Sequence, residues 1–318
     1  MHASLPEGPH GFVLARVARE RGLDAALRAQ VADGSLERVR VGVYRRAERR
    51  PAYARQRYAE IVRAAALSLA APVFTAYSAA AVLGLPILAQ TWPREVFLLS
   101  SARTGRRRTG VIEVGNLGCS ECVEVGGIVI TSVELTLIQL ARIAPLADAL
   151  TAMDAALRRP RRTKDRPALT TIDRVRALHE RLLPYRGSSK VEAVLGRATD
   201  SSDSPLETGS RLLFEEQGFE APALQHPIPL PELGFTALLD FHWRSVDAGA
   251  EADGRGKYLS ASTEASAATV IREKDRENAV RRRLRAFDRW DWNEFRAVRP
   301  VVERLIALGV PRRRGYGR

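Results

Sequence analysis

The chain has 318 residues, 45% of them hydrophobic, with 50 Lys and Arg against 37 Asp and Glu. That composition belongs to a globular polypeptide long enough for two or three domains, and excludes a weakly hydrophobic disordered one. The formal charge of +13 and a pI near 10.5 favour polyanionic partners, because cationic side chains that neutralise phosphates release condensed counterions. No run approaches the ~20 apolar residues of a membrane helix. The opening MHASLPEGPHGF has no basic, apolar leader pattern, so the expected location is the cytoplasm, with no membrane partner.

In chain order, GFVLARVARER (11–21) carries Phe12, Val13, Val17 and Ala18 at helical spacing, and Gly22 stops the run. A second helix follows, with Asp24 as cap, Leu27 and Val31 as its apolar face and Gly34 at its end. LERVRVGVYRRA then alternates apolar and charged residues around a Gly42 turn. Helix, turn, helix and basic hairpin describe a winged helix-turn-helix over residues 8–48. Its second helix would read the major groove through Arg28 and Gln30, while Arg38, Arg40 and Arg45 of the wing would meet phosphates.

These residues, with TAYSAAAVLGLPI at 75–87, resemble the N-terminal region of AbiEi-type antitoxins of type IV toxin–antitoxin systems. The resemblance covers roughly residues 10–150. It implies a winged helix ahead of an α/β domain, DNA binding, autoregulation and a possible toxin partner.

Residues 50–157 read as that middle α/β domain. Two helices are predicted within 53–85 and a strand at EVFLLSS. Next comes a basic hairpin whose Arg106, Arg107 and Arg108 suit a phosphate backbone or a solvated loop, and then a strand with two helices. Cys119 and Cys122 form a single C-x-x-C, readable as half a zinc site, a redox pair or a chance loop pair. The charged stretch RRPRRTKDRPALT opens a linker and helix over 158–200.

In the last domain, 201–310, SPLETGSRLLFEEQGF starts with a cap: Ser204, Pro205 at the first helical position and Glu207 three residues on. LGFTALLDFHW reads as an apolar strand with Asp240 inside it, a costly place for an unpartnered carboxylate. Glu251 and Asp253 are two residues apart, on one face if this segment is a strand, and Lys257 follows. Phosphodiester hydrolysis needs a hard cation, and Mg²⁺ (or Mn²⁺) prefers carboxylate oxygens and water. Acids from a helix and two neighbouring strands would supply such ligands, and a lysine would steady the attacked phosphate.

SPLETGSRLLF, LLDFHW, EADGRGKY and REKDRENAVRRRLRAFDRWDW occur in the order of the PD-(D/E)xK restriction-endonuclease-like superfamily. The branch they resemble is the family of unknown function related to very-short-patch-repair endonucleases. That likeness implies a mixed central sheet flanked by helices. It also implies Glu207 as helix acid, Asp240 and Glu251 as metal ligands, and Arg276 and Asn278 facing the site or DNA. Apart from the likeness, Arg281, Arg282, Arg283 and Arg285 suit backbone phosphates or the wet face of their helix. Two departures stand out. Asp253 occupies the usual lysine position, with Lys257 as the substitute, and VDAGAEADG is too rich in Ala and Gly for a typical strand. The fold class expected is α/β in the broad sense, an α+β multidomain chain. The functional expectation is a DNA-binding regulator or antitoxin with a nuclease-fold domain. The alternatives are an active Mg²⁺-dependent endonuclease and an interaction component of a toxin–antitoxin or phage-defence pair that touches no DNA.

Overall fold

The chain divides into two compact units, one built from Met1–Ala156 with Leu169–Ala198 and the other from Leu157–Ala168 with Thr199–Arg318. The computed structural model describes residues 4–89, 91–161, 166–253 and 274–312. Both units mix helix and strand in small sheets. Among the described residues no helix is long and apolar enough to cross a membrane.

The first unit opens with β1 (Val13–Leu14), α1 (Ala15–Glu20), α2 (Asp24–Ala32), β2 (Leu36–Arg40) and β3 (Val43–Arg46). The three strands form an antiparallel sheet in the order β1-β3-β2. Gly42, at φ +75°, makes the turn between β2 and β3. Val13 and Leu14 pair with Tyr44 and Val43 as strand rather than starting the first helix, so α1 is shorter than the apolar spacing suggests. Leu5, Val13, Ala18, Leu27 and Leu36 close the core beneath.

The chain continues through α3 (Ala54–Ala66), α4 (Ala76–Val82), β4 (Val96–Leu99), β5 (Arg106–Arg108) and β6 (Val111–Val114). β6 lies between β4, to which it is parallel, and β5, to which it is antiparallel. A hairpin follows, β7 (Cys122–Val125) with β8 (Ile128–Thr131), then α5 (Val133–Ile143) and α6 (Leu146–Leu157). Both cysteines are free thiols in and just before β7.

Residues 169–198 belong to the first unit. They carry α7 (Ile172–Leu182) and α8 (Ser188–Leu195), which pack on α5 within the first unit. The attachment is polar as well as apolar: Thr170 Oγ1 donates to Glu134 Oε1 at 2.6 Å, and Arg174 lies 3.0 Å from the same oxygen.

The second unit runs α9 (Pro205–Glu216), β9 (Ala223–Leu230), β10 (Phe235–Trp243), β11 (Ala248–Ala252), α10 (274–281), β12 (Ala286–Trp290), α11 (Trp292–Ala297) and α12 (Arg299–Ala307). Its sheet has the order β12-β11-β10-β9. β9, β10 and β11 form an antiparallel meander, while β12 joins β11 in parallel. A parallel connection needs a crossover of a dozen or more residues, and the segment bearing α10 provides it.

Helices cover both faces of this sheet. Phe241, Trp243 and Trp290 pack with Leu213 and Phe214 of α9 and with Val301 and Leu305 of α12. On the other side Ile228, Leu230 and Leu239 meet Ala279 and Val280 of α10, together with Leu284 and Phe287.

The Ala- and Gly-rich segment does form a strand, the central β11. A methyl group added at Gly249 would stand 2.6 Å from Leu284 Cδ1 and closer still to Leu239 Cδ2. A strand covered this tightly needs small residues, whatever their intrinsic preference.

Candidate functional site

Ser204 and Pro205 start α9, and Ser204 Oγ accepts the Glu207 N–H at 3.2 Å. In a reciprocal cap the Glu207 carboxylate would reach back to Ser204. Here it goes one residue further, accepting from Asp203 N at 2.8 Å, and lies 5% exposed under the helix start.

The strand pairing between β9 and β10 skips Asp240, opposite Gln225, whose φ is +48°. A non-glycine residue in the left-handed region is uncommon, and such strain collects where geometry is demanded by a site. Gln225 Nε2 donates to Glu207 Oε2 at 3.0 Å and to Asp240 Oδ1 at 3.3 Å. The Ala252 N–H of β11 donates to Asp240 Oδ2 at 2.8 Å. One amide thus links the helix acid to the strand acid. Burial, then the negative charges of Glu207 and Glu251, hold the Asp240 carboxyl well above the usual carboxylate range. Burial also pushes Glu207 up, against the hydrogen bonds from Asp203 and Ser204.

Glu251 is 8% exposed and engaged by two arginines. Arg276 of α10 donates through Nη2 to both carboxylate oxygens, at 2.9 and 2.8 Å. Arg289 of β12 donates through Nη2 to Oε2 at 2.9 Å. Arg289 Nη1 also stands 3.5 Å from Asp253 Oδ2 and 3.5 Å from Glu277 Oε2. Glu207, Asp240, Glu251 and Asp253 line one cavity of about 880 Å³, and Arg158, Arg161, Arg276 and Arg289 line it with them. Lys257 lies outside the described residues.

No protein-family model matches this sequence. No curated protein matches it either. The site therefore has to be argued from its own chemistry.

Carboxylate oxygens are the correct donors for a hard divalent cation, and Glu207 with Asp240 supplies two that adjoin and whose charges are costly together. Glu251 does not fit the same role, because both its oxygens already accept from guanidinium. Among the described residues no group of three or more His, Cys, Asp or Glu side chains is arranged to hold a metal ion, and that covers the C-x-x-C pair as well.

The arginines read from the sequence as DNA contacts separate by exposure. Arg28 on α2 and Arg38 on β2 are exposed. Arg40 is half-buried, and burial followed by the like charge of Arg108 pushes its pKa down. Arg106, Arg107 and Arg108 are exposed on β5, where Glu113 pairs with the outer two and Glu95 with Arg107. Arg282 is exposed and 3.6 Å from Glu232.

Gln30 and Arg45 are placed otherwise, at 5% and 8% exposure. Gln30 shares the inner face of α2 with Leu27, whereas Val31, the residue expected there, is exposed. Arg45 pairs with Glu37 and Glu60. Both side chains are thus buried, unlike those of Arg28 and Arg38. Sequence reasoning missed Gln225, Glu277 and Arg289. Only the acid–base character of DRENAV and FDRWDW hinted at the last two.

Proposed function

We propose that this protein binds duplex DNA in the manner of a regulator or antitoxin, with the first unit as the reader and the second as a nuclease-fold domain. The strand–helix–helix–hairpin order of residues 13–46 supports a winged helix, in which α2 would enter the major groove and the β2–β3 hairpin would lie along the backbone. In the second unit the helix, meander, helix and parallel strand, with acids at 207, 240 and 251 on one cavity, support the restriction-endonuclease-like reading. The observation that carries the proposal is the exposure of Arg28 on α2 and Arg38 on the wing, in a chain of charge +13.

Fluorescence anisotropy with a labelled duplex, titrated across salt concentrations, tests it. Binding is expected to weaken linearly on log–log axes, by roughly 0.9 of a log unit per phosphate contact. Arg38→Ala should flatten that dependence, whereas Arg28→Ala should weaken binding with the slope nearly unchanged. A chain that binds no duplex at low salt sinks the proposal and leaves the protein-interaction reading, with a toxin as the partner to seek.

A second reading, a Mg²⁺-dependent endonuclease, is favoured by the adjoining, buried Glu207 and Asp240, whose mutual repulsion a bound cation would relieve. Such an ion would supply a nucleophilic hydroxide and screen charge at phosphorus. Supercoiled plasmid is the substrate of choice. Nicking that requires Mg²⁺ or Mn²⁺ and disappears in Asp240→Ala establishes this reading, and plasmid left intact with both ions removes it.

A further inference from the structure

Arg289 is surrounded by acid. Glu251 lies on the adjacent strand, Asp253 just beyond that strand's end, and Glu277 on the crossover helix, at 2.9, 3.5 and 3.5 Å from its guanidinium nitrogens. The first of these contacts is written into the sheet. β11 and β12 pair in parallel with Glu251 opposite Arg289, and directly opposed residues of neighbouring strands share a face. Arg276 reaches the same carboxylate from α10 and contacts both oxygens through a single nitrogen, Nη2. A guanidinium keeps its charge at every physiological pH and presents several donors in one plane, which suits it to several carboxylates at once. Glu277 is shared with Arg281, whose Nε and Nη2 stand 2.9 and 2.8 Å from its Oε1. Three acids thus face three guanidinium groups, with Arg289 the one that touches all three acids, and the cations that hold them belong to the chain itself.

We infer that Arg289, assisted by Arg276 and Arg281, is the resident cation of this cavity, and that Glu251, Asp253 and Glu277 are committed to these guanidinium groups rather than to a divalent ion. The inference rests on reading the cavity as the functional centre of the second unit. It gives Glu251 a part different from the one its motif position implies: Glu251 aims two arginines into the cavity. Positive charge there is carried by side chains, and Glu251 contributes nothing to divalent-ion affinity.

Calorimetric titration of the full chain with Mn²⁺ tests this, in wild type, Glu251→Gln and the double variant Arg276→Gln/Arg289→Gln. Wild type and Glu251→Gln are expected to give the same isotherm. The double variant, in which both Glu251 oxygens lose their guanidinium donors, is expected to gain a saturable Mn²⁺ site and a rise in Tm on adding Mn²⁺. Adding Glu251→Gln to it should abolish both gains. A saturable wild-type isotherm that Glu251→Gln erases overturns the inference, and so does a double variant that gains no site. Should the double variant fail to fold, the wild-type and Glu251→Gln isotherms decide alone. No arm contains DNA, so failure of the DNA-binding proposal would appear separately, in the anisotropy titration.

Discussion

Asp240 and Glu251 sit at the same cavity with opposite electrostatic fates. Glu251 is matched by two guanidinium groups, whereas Asp240 receives one amide N–H and one backbone N–H and has Glu207 across the shared Gln225. Its carboxyl is raised by burial first and by those neighbouring acids second. The folded chain therefore holds this proton more tightly than the unfolded chain does. Stabilisation from the neutral form is complete below the ordinary carboxylate pKa and is lost as pH rises through the raised folded value. Glu207 shifts in the same direction and adds to the slope. Thermal unfolding measured at successive pH values should show a falling Tm over that window, and Asp240→Asn should flatten the fall. The variant leaves one of two N–H donors without an acceptor, so the absolute Tm carries less meaning than the slope. A pH profile identical to wild type would show that Asp240 is charged and comfortable where it stands.

The strands and helices owe their positions to packing that a linear reading sees unevenly. Gly249 illustrates the tight end of the range, since an added methyl group collides with Leu239 of β10 and Leu284 of the turn before β12. Gly249→Ala is expected to cost about 1–3 kcal/mol through overpacking, measurable by chemical denaturation, and an unchanged midpoint would mean that β10 and the segment after α10 yield easily. The capped start of α9 and the apolar strand around Asp240 were legible in the residues themselves, because Ser204, Pro205 and the Phe241–Trp243 run are local signals. β11 was harder. Its low strand preference is an adaptation to neighbours that come from Leu239 and Leu284, residues that spacing alone does not bring together. Register was invisible too, and with it the pairing of Glu251 with Arg289 across 38 positions of chain. On α2 the i, i+4 spacing of Leu27 and Val31 suggested one inner face, while the helix turns Gln30 inward instead. One polar side chain in a nine-residue helix is enough to defeat an apolar count.

At the scale of the whole molecule, the positive charge is spread rather than pooled. Many arginines are already spoken for by local acids: Arg46 and Arg49 by Glu7, Arg283 by Glu232, Arg304 by Asp288 and Glu294. Ion pairs at this degree of exposure are worth little individually. The sequence order of the two units has a further consequence. The chain leaves the first unit at Ala156, contributes Leu157–Ala168 to the second, and goes back to complete the first with Leu169–Ala198 before finishing the second. A fragment ending at Leu157 would lack α7 and α8 and would uncover α5, where every residue from Glu134 to Ala141 is buried. Such a fragment should aggregate or bind a hydrophobic dye, while one extended to Ala198 should remain monodisperse in size-exclusion chromatography. A protease nicking the basic stretch near Arg161 would accordingly sever a peptide bond without releasing a free-standing module.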